Sequence, residues 1–267
     1  MVASVFVARQ PLQDRAQYAA EETALCEDCS TLEQWRAGAA AFTRSRPFPT
    51  ITGPQARETT ASEFPEVGSI LLDDRLQCTA TLIDADSLLT AAHCFYDGKG
   101  RGIPNTRFKV TFNIRSEDGK RFEIGEVAFP KPPNAYRYLE NRNDIAIVHL
   151  KTAPGIGSFR RAAANPDALS KGTVLTAVGF GLTTDDKGRL IGDGVQRKGP
   201  IRVGSFPAGR FQYAGEGNTC RGDSGGPALL DDLIVGVTSV GDRQCRQYGV
   251  DTRVADYEPW IRTETSQ

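Results

Sequence analysis

Beyond residue 50 the chain is written in short β-rich runs: SILLDD, ATLIDADSLLTA, RFKVTFNI, RFEIGEVAF, DIAIVHL, TVLTAVGFG, PALLDD and LIVGVTSV. Gly, Pro, Asp and Asn divide these runs, and no long helical pattern comes between them. That texture argues for an all-β sandwich or barrel and against alternating strands and helices. A final segment, Ala255 to Thr265, is expected to close the domain as a helix. Tyr257 and Trp260 stand three apart there, and Ile261 stands four from Tyr257, which gives one apolar side.

The chain changes character near residue 50. Residues 14–42, with AQYAAEETAL and TLEQWRAGAAAF around CEDC, read as one or two short helices, with Trp35 a candidate anchor. RSRPFPTITGP follows, and Pro47, Pro49 and Pro54 make it an extended connector. The expected division is therefore an amino-terminal segment, 1–50, and a main domain, 51–267. At 267 residues, 39% of them hydrophobic, the chain has material for a real core. Its 32 Lys and Arg against 33 Asp and Glu give a formal charge of -1, so electrostatics offers no case for nucleic acid or a membrane surface. No apolar run approaches the length that crosses a bilayer.

NTCRGDSGGP, residues 218–227, surrounds one serine with glycine and proline. A serine hydroxyl is a weak nucleophile at neutral pH, so Ser224 needs a base, and the base needs an orienting group. Only two histidines exist in the chain. His93 ends the apolar run SLLTAAHCF, and His149 ends the strand DIAIVHL. A catalytic histidine shows one ring nitrogen to the serine and the other to a carboxylate. Asp144, opening an apolar strand after Asn143, is a plausible orienter, although chance groupings of His, Asp and Ser are common.

From about Ile51 to the carboxyl end the sequence resembles the chymotrypsin-like, or trypsin-like, serine proteases, and the matching pieces stand in that family's order. LLTAAHC resembles the histidine motif, DIAIVHL the acid motif and GDSGGP the nucleophile motif. VGFGL, with Gly179 and Gly181, resembles the segment between barrels. Ser239-Val240-Gly241 resembles the strand that pairs with substrate backbone, and Val254, Tyr257, Trp260 and Ile261 the closing helix. The resemblance implies two packed, antiparallel six-stranded β-barrels with a carboxyl-terminal helix. It implies a triad of His93, Asp144 and Ser224, with the N–H groups of Gly222 and Ser224 as oxyanion hole. It pairs Cys78 with Cys94 and Cys220 with Cys245, which implies an oxidising compartment. The expectation is a secreted chain whose signal peptide precedes this sequence, with Met1 an added start, because MVASVFVARQ makes a poor signal peptide.

Further expectations follow from the same resemblance. Asp223 would form an ion pair with a new amino terminus at Ile51, which makes residues 1–50 a propeptide removed by an activating protease. Thr52 and Pro54 depart from the usual mature terminus, and Thr50 is not the basic residue that a trypsin-like activator prefers. The primary pocket would be built from Asn218, Thr219, Ser239, Gly241 and Gly249, and Asn218 at its base is neutral, which favours a non-basic side chain. Thr79-Ala80-Thr81 stands where paired glycines are common. Protein or peptide substrates are implied, without a cofactor, metal, nucleic acid or membrane, and a monomer suffices. The rival reading is a catalytically silent binding or regulatory protein on the same fold. A serine esterase is less favoured, because its nucleophile sits in a GxSxG elbow. Cys26 and Cys29 read as a local disulfide, His149 as structural, and Asp231-Asp232, Thr183 to Asp186 and Lys131-Pro132-Pro133 as turns or loops.

Overall fold

The computed structural model describes residues 51–266 apart from 52, 54, 114, 116–118, 131–142, 185–189, 208, 216 and 243–244. The expected helices of residues 14–42, with Cys26, Cys29 and Trp35, lie outside the described residues, as do Lys131-Pro132-Pro133 and Asp185-Asp186. Everything described belongs to one compact unit, Ser45–Gln267.

Six strands build a first closed barrel: β1 (Val67–Leu72), β2 (Arg75–Leu82), β3 (Ser87–Thr90), β4 (Phe108–Thr111), β5 (Phe122–Ala128) and β6 (Ala146–Leu150). Their order is β1-β2-β3-β6-β5-β4, and β4 closes onto β1, with Ile70 opposite Val110. A second six-stranded ring follows: β7 (Val174–Gly179), β8 (Arg197–Ser205), β9 (Arg210–Ala214), β10 (Pro227–Leu230), β11 (Leu233–Gly241) and β12 (Tyr248–Arg253). Its order is β7-β8-β9-β12-β11-β10, with β10 returning to β7. All twelve strands pair antiparallel with their ring neighbours, as the resemblance implied. Closure leaves neither sheet an open edge within its ring.

The turns follow from local chemistry. Asp73 and Asp74 join β1 to β2 with φ of 49° and 62°, the left-handed conformation that a tight hairpin demands and that Asp tolerates. Asp231 does the same between β10 and β11 with φ 53°, while Asp232 pairs with Arg160 at 2.5 Å. Asp231-Asp232 is thus a turn.

Ile70, Leu82, Leu88, Phe108, Val110, Ile124 and Ile147 are buried in a core centred on the first barrel, with the Phe95 and Phe108 rings edge to face at 5.0 Å. Each such side chain contributes about 1.5–3 kcal/mol on burial. The second core holds Leu175, Ala177, Ile201, Val203, Phe211, Tyr213, Ala228 and Val235, and takes in Ile51. At the carboxyl end a tight 3-10 turn, Val254–Tyr257, leads into α1 (Glu258–Thr265). The helix therefore starts three residues later than its apolar spacing suggests. Pro259 fits its first turn, where the missing N–H has no intrahelical partner to lose. Ile261 and Tyr257 face the core, and the Tyr257 hydroxyl donates to Asn143 Oδ1 at 2.7 Å, next to Asp144.

Candidate active site

β3 is buried along its whole length, and it delivers the chain into a short turn, Ala92–Phe95, that carries His93. Ala91 and Ala92 are small enough to be buried completely, which leaves the His93 side chain 24% exposed at the surface of the fold. Cys94, one residue on, is bonded to Cys78 on β2, so a covalent bridge fixes the turn.

Asp144 precedes β6 and is fully buried. Its Oδ1 accepts the backbone N–H of His93 at 2.8 Å, and its Oδ2 lies 2.7 Å from His93 Nδ1. A carboxylate can only accept, so Nδ1 carries the proton and Nε2 is left as the acceptor nitrogen. The second barrel holds the acid in place. Ser239 Oγ on β11 donates to Asp144 Oδ2 at 2.5 Å, and Thr252 Oγ1 on β12 donates to its backbone carbonyl at 2.9 Å. Burial disfavours the imidazolium of His93, but the Asp144 charge and hydrogen bond outweigh it, and the pKa is raised above 6.5.

Ser224 sits half-buried in the turn before β10. Its carbonyl accepts Thr79 N–H at 2.8 Å, and the next residue's N–H reaches Thr238 O at 2.7 Å. Gly225 has φ +81°, and a Cβ there would lie 2.1 Å from Thr90 Oγ1, so only glycine lets the turn approach β3 so closely. Among the described residues no hydrogen bond links the Ser224 hydroxyl to His93. Leu182 N–H donates to Arg221 O at 2.7 Å. Because the peptide is planar and trans, this bond fixes the plane that also carries the Gly222 N–H.

Asp223 is buried between Gly179 and Gly181, where a Cβ would come within 2.2 and 2.6 Å of its carboxylate. That contact explains both glycines. The carboxylate accepts Gly181 N–H and Cys220 N–H at 2.8 Å each. Burial pushes its pKa up to about 6 against the pull of those donors. Ile51 is not bonded to it; its side chain is buried in the second core beside Gly199.

A cavity of about 180 Å³ opens beside Ser224, walled by Thr219, Ser239, Gly241 and Asp242 together with the Cys220–Cys245 bridge. Asn218 lies behind this wall, buried, its amide donating to Asp242 Oδ1 at 3.3 Å while its own Oδ1 accepts Thr219 N–H at 2.9 Å. Gly249 also lies outside the lining. A Cβ there would meet the Tyr213 ring at 2.3 Å, so the missing side chain makes room for Tyr213. Three of the five expected pocket residues thus line the cavity.

Sequence reasoning did not single out Asp242, whose Oδ1 gathers the N–H groups of Arg246, Gln247 and Tyr248 at 2.9, 2.7 and 3.2 Å. An Asp followed within a few residues by a disulfide cysteine and a glycine was the available signal for such a loop. His149 faces Ser87 Oγ at 3.1 Å on the paired strand β3 and takes no part in the site. Cys78, His93 and Cys94 bring possible metal-ligating atoms within 4.8 Å, but the two sulfurs are bonded to each other and offer no thiolate.

Comparison with known proteins gives a consistent result. Residues 54–261 match the family model described as Trypsin. Brachyurin of Leptuca pugilator is 28% identical over 222 residues, covering 78% of this chain and 96% of the relative. Serine protease SP24D of Anopheles gambiae is 26% identical, covering 75% of this chain and 76% of the relative. Transmembrane protease serine 11A of Homo sapiens is 29% identical, and the match takes in 76% of this chain but only 52% of that longer protein. Among solved structures, human heparin binding protein superposes with a TM-score of 0.67 at 22% identity over 79% of this chain and 96% of that one. Mouse neuropsin, described as a serine protease expressed in the limbic system, gives 0.66 at 20% over 79% and 98%.

Proposed function

Because this chain belongs to the chymotrypsin/trypsin-like serine protease family and its hydrolytic chemistry is of that type, we propose that it is a secreted endopeptidase made as a zymogen, with Ser224, His93 and Asp144 as its triad. Ser224 Oγ attacks the scissile carbonyl while His93 Nε2 takes its proton. The resulting oxyanion is stabilised by the N–H groups of Gly222 and Ser224. When the C–N bond breaks, His93 returns the proton to the leaving amine, and water then cleaves the acyl ester by the same route. The observation that carries this reading is the two-point grip of buried Asp144 on His93, at 2.8 and 2.7 Å, which orients the ring before substrate arrives.

Activation is assigned to cleavage of the Thr50–Ile51 bond, with residues 1–50 as propeptide and Asp223 as acceptor of the new Ile51 amine. Asp223 supports the assignment because it is buried, it has no ion-pair partner among the described residues, and its carboxyl is pushed up to about 6. A buried ammonium beside it would offset that desolvation. Non-basic primary specificity rests on neutral Asn218 at the expected pocket base, although Asn218 lies behind the wall; Asp242, the acid in the cavity lining, spends its Oδ1 on four donors and is the residue that would argue for a basic side chain instead. The disulfides Cys78–Cys94 and Cys220–Cys245 favour an extracellular location. The name of the heparin-binding neighbour raises a binding role, but a formal charge of -1 gives little attraction for a polyanion.

The test is intact-mass analysis after exposure to a fluorophosphonate, on the whole chain and on chain cut before Ile51, with Ser224→Ala as control. Labelling of Ser224 only after the cut is the expected result. Labelling of the uncut chain would remove the zymogen step. No labelling of either form would replace the protease reading with a silent binding protein.

A further inference from the structure

Thr79 follows Cys78 on β2 of the first barrel and is fully buried, yet its N–H and its hydroxyl both serve the second barrel's half of the site. Its backbone N–H donates to Ser224 O at 2.8 Å. Its hydroxyl donates to Gly222 O at 2.8 Å and accepts the N–H of Phe180 at 3.2 Å. Thr90 Oγ1 in turn donates to Thr79 O at 2.8 Å, which ties the residue to β3, just ahead of the His93 turn. One side chain therefore joins the base-bearing barrel, the oxyanion turn and the Gly179–Leu182 segment whose Leu182 N–H orients the Arg221–Gly222 peptide.

Resting on the protease reading above, we propose that Thr79 is a positioning residue for the oxyanion hole, one that fixes the Gly222–Asp223 peptide through its hydroxyl. The Gly222 N–H and C=O belong to adjacent peptide planes joined at one α-carbon, and φ of Gly222 is +97°, a conformation with little steric restraint of its own at glycine. The Leu182 bond holds the plane on one side of that α-carbon, and the Thr79 hydroxyl holds the plane on the other. Without the hydroxyl, Gly222 can rotate between them, and its N–H loses the fixed aim on which charge stabilisation depends. Where a relative has glycine in the matching segment, no side-chain hydroxyl is present to make these bonds.

The experiment uses active enzyme cut before Ile51 and compares Thr79→Val, which keeps the shape, with Thr79→Ser, which keeps the hydroxyl. Matched peptide esters with an oxygen or a sulfur at the carbonyl are the substrates. Thr79→Val is expected to lower kcat on the oxygen ester by about 10- to 100-fold with KM within about twofold, short of the effect of deleting a donor outright. It should lose clearly less on the thiono ester, whose sulfur is a poorer hydrogen-bond acceptor. Thr79→Ser should stay within about threefold of the parent, since the hydroxyl itself is retained. Equal losses on both esters, a Thr79→Ser enzyme as weak as Thr79→Val, or an undiminished Thr79→Val would overturn the proposal. Thr79→Ala carries the same comparison if the valine variant does not fold. Failure of the parent chain itself to turn over either ester would count against the protease reading instead.

Discussion

The two barrels have equal strand numbers and unlike interiors. The first is packed with Ile70, Leu82, Leu88, Phe108, Val110 and Ile147. The second buries Gln212, Asp223, Asp251 and Thr252 among its apolar residues. There Tyr213, itself fully buried, donates its hydroxyl to Asp251 Oδ1 at 2.9 Å and meets Thr219 Oγ1, on the pocket wall, at 2.8 Å. Asp251 Oδ2 is buried without a hydrogen-bond partner in the described structure. The first barrel carries a buried acid next to its strands, Asp144, paired with His93 at 2.7 Å, and its core is filled with apolar side chains. The second buries Asp223 and Asp251, whose carboxyls burial pushes up to about 6 and about 7, beneath the cavity and the Ser224 turn.

A core truncation in the first barrel should break the frame most severely. Phe108 is fully buried against Phe95, and Phe108→Ala should destabilise by about 3–5 kcal/mol, by about the same amount from pH 4 to pH 8 in denaturant titrations. A strong pH dependence of that loss would erase the contrast between the barrels. The second barrel should respond in the opposite way. Burial raises Asp251 from 3.8 to about 7. The folded state then binds the proton more tightly than the unfolded chain, so this group's contribution is fully present below pH ~4 and is lost as pH rises through ~7. Asp251→Asn removes that titration. Relative to wild type the variant should gain up to about 4 kcal/mol between pH 4 and pH 8, since each tenfold difference in proton affinity between the folded and unfolded chain is worth about 1.4 kcal/mol. A stability difference that stays flat with pH would mean that Asp251 is not held protonated.

The same contrast decided what was legible in the sequence. Four of the six strands of the first barrel fall wholly within a run that reads as β, such as RFEIGEVAF over β5 and DIAIVHL over β6, whereas β1 starts two residues ahead of SILLDD and β2 lies mostly before ATLIDADSLLTA, in the less apolar RLQCT. In the second barrel β8, β9 and β12 are RKGPIRVGS, RFQYA and YGVDTR, and none of them stands out as an apolar run. Their inward polar groups are satisfied across the sheet, by partners such as Tyr213 and Asp251 that are 38 residues apart, and single-sequence periodicity carries no register. The motif residues of the site were legible because each lies in a continuous signature. The supporting contacts of Thr79, Ser239 and Asp242 were not, because each depends on how distant strands align.

Removing the disulfides sharpens the comparison at a smaller scale. Cys78–Cys94 closes a separation of 16 residues in the first barrel, and Cys220–Cys245 closes 25 in the second. Chain entropy assigns about 3 kcal/mol to each, so the paired Cys→Ser variants should melt at similar temperatures. Their kinetics should differ. Loss of the first bridge loosens the His93 turn and should act mainly on kcat, whereas loss of the second loosens the pocket wall and should act mainly on KM. Identical kinetic profiles would show that neither bridge acts locally.

The smallest effect separates the two histidines. His93 and His149 lie on adjoining parts of the first barrel, and both are half-buried. What differs is the partner: a buried carboxylate for His93, and the Ser87 hydroxyl at 3.1 Å for His149. The Ser87 hydroxyl is an ordinary neutral partner, so His149→Gln has one such hydrogen bond to lose. His149→Gln should reduce stability by less than about 1 kcal/mol and leave kcat/KM within about twofold. His93→Gln should abolish turnover while leaving Asp144 buried without its imidazole partner. If His149→Gln instead lost activity by an order of magnitude, the first barrel would carry a coupling to the site through β3 and β6, and the division of labour between the barrels would have to be redrawn.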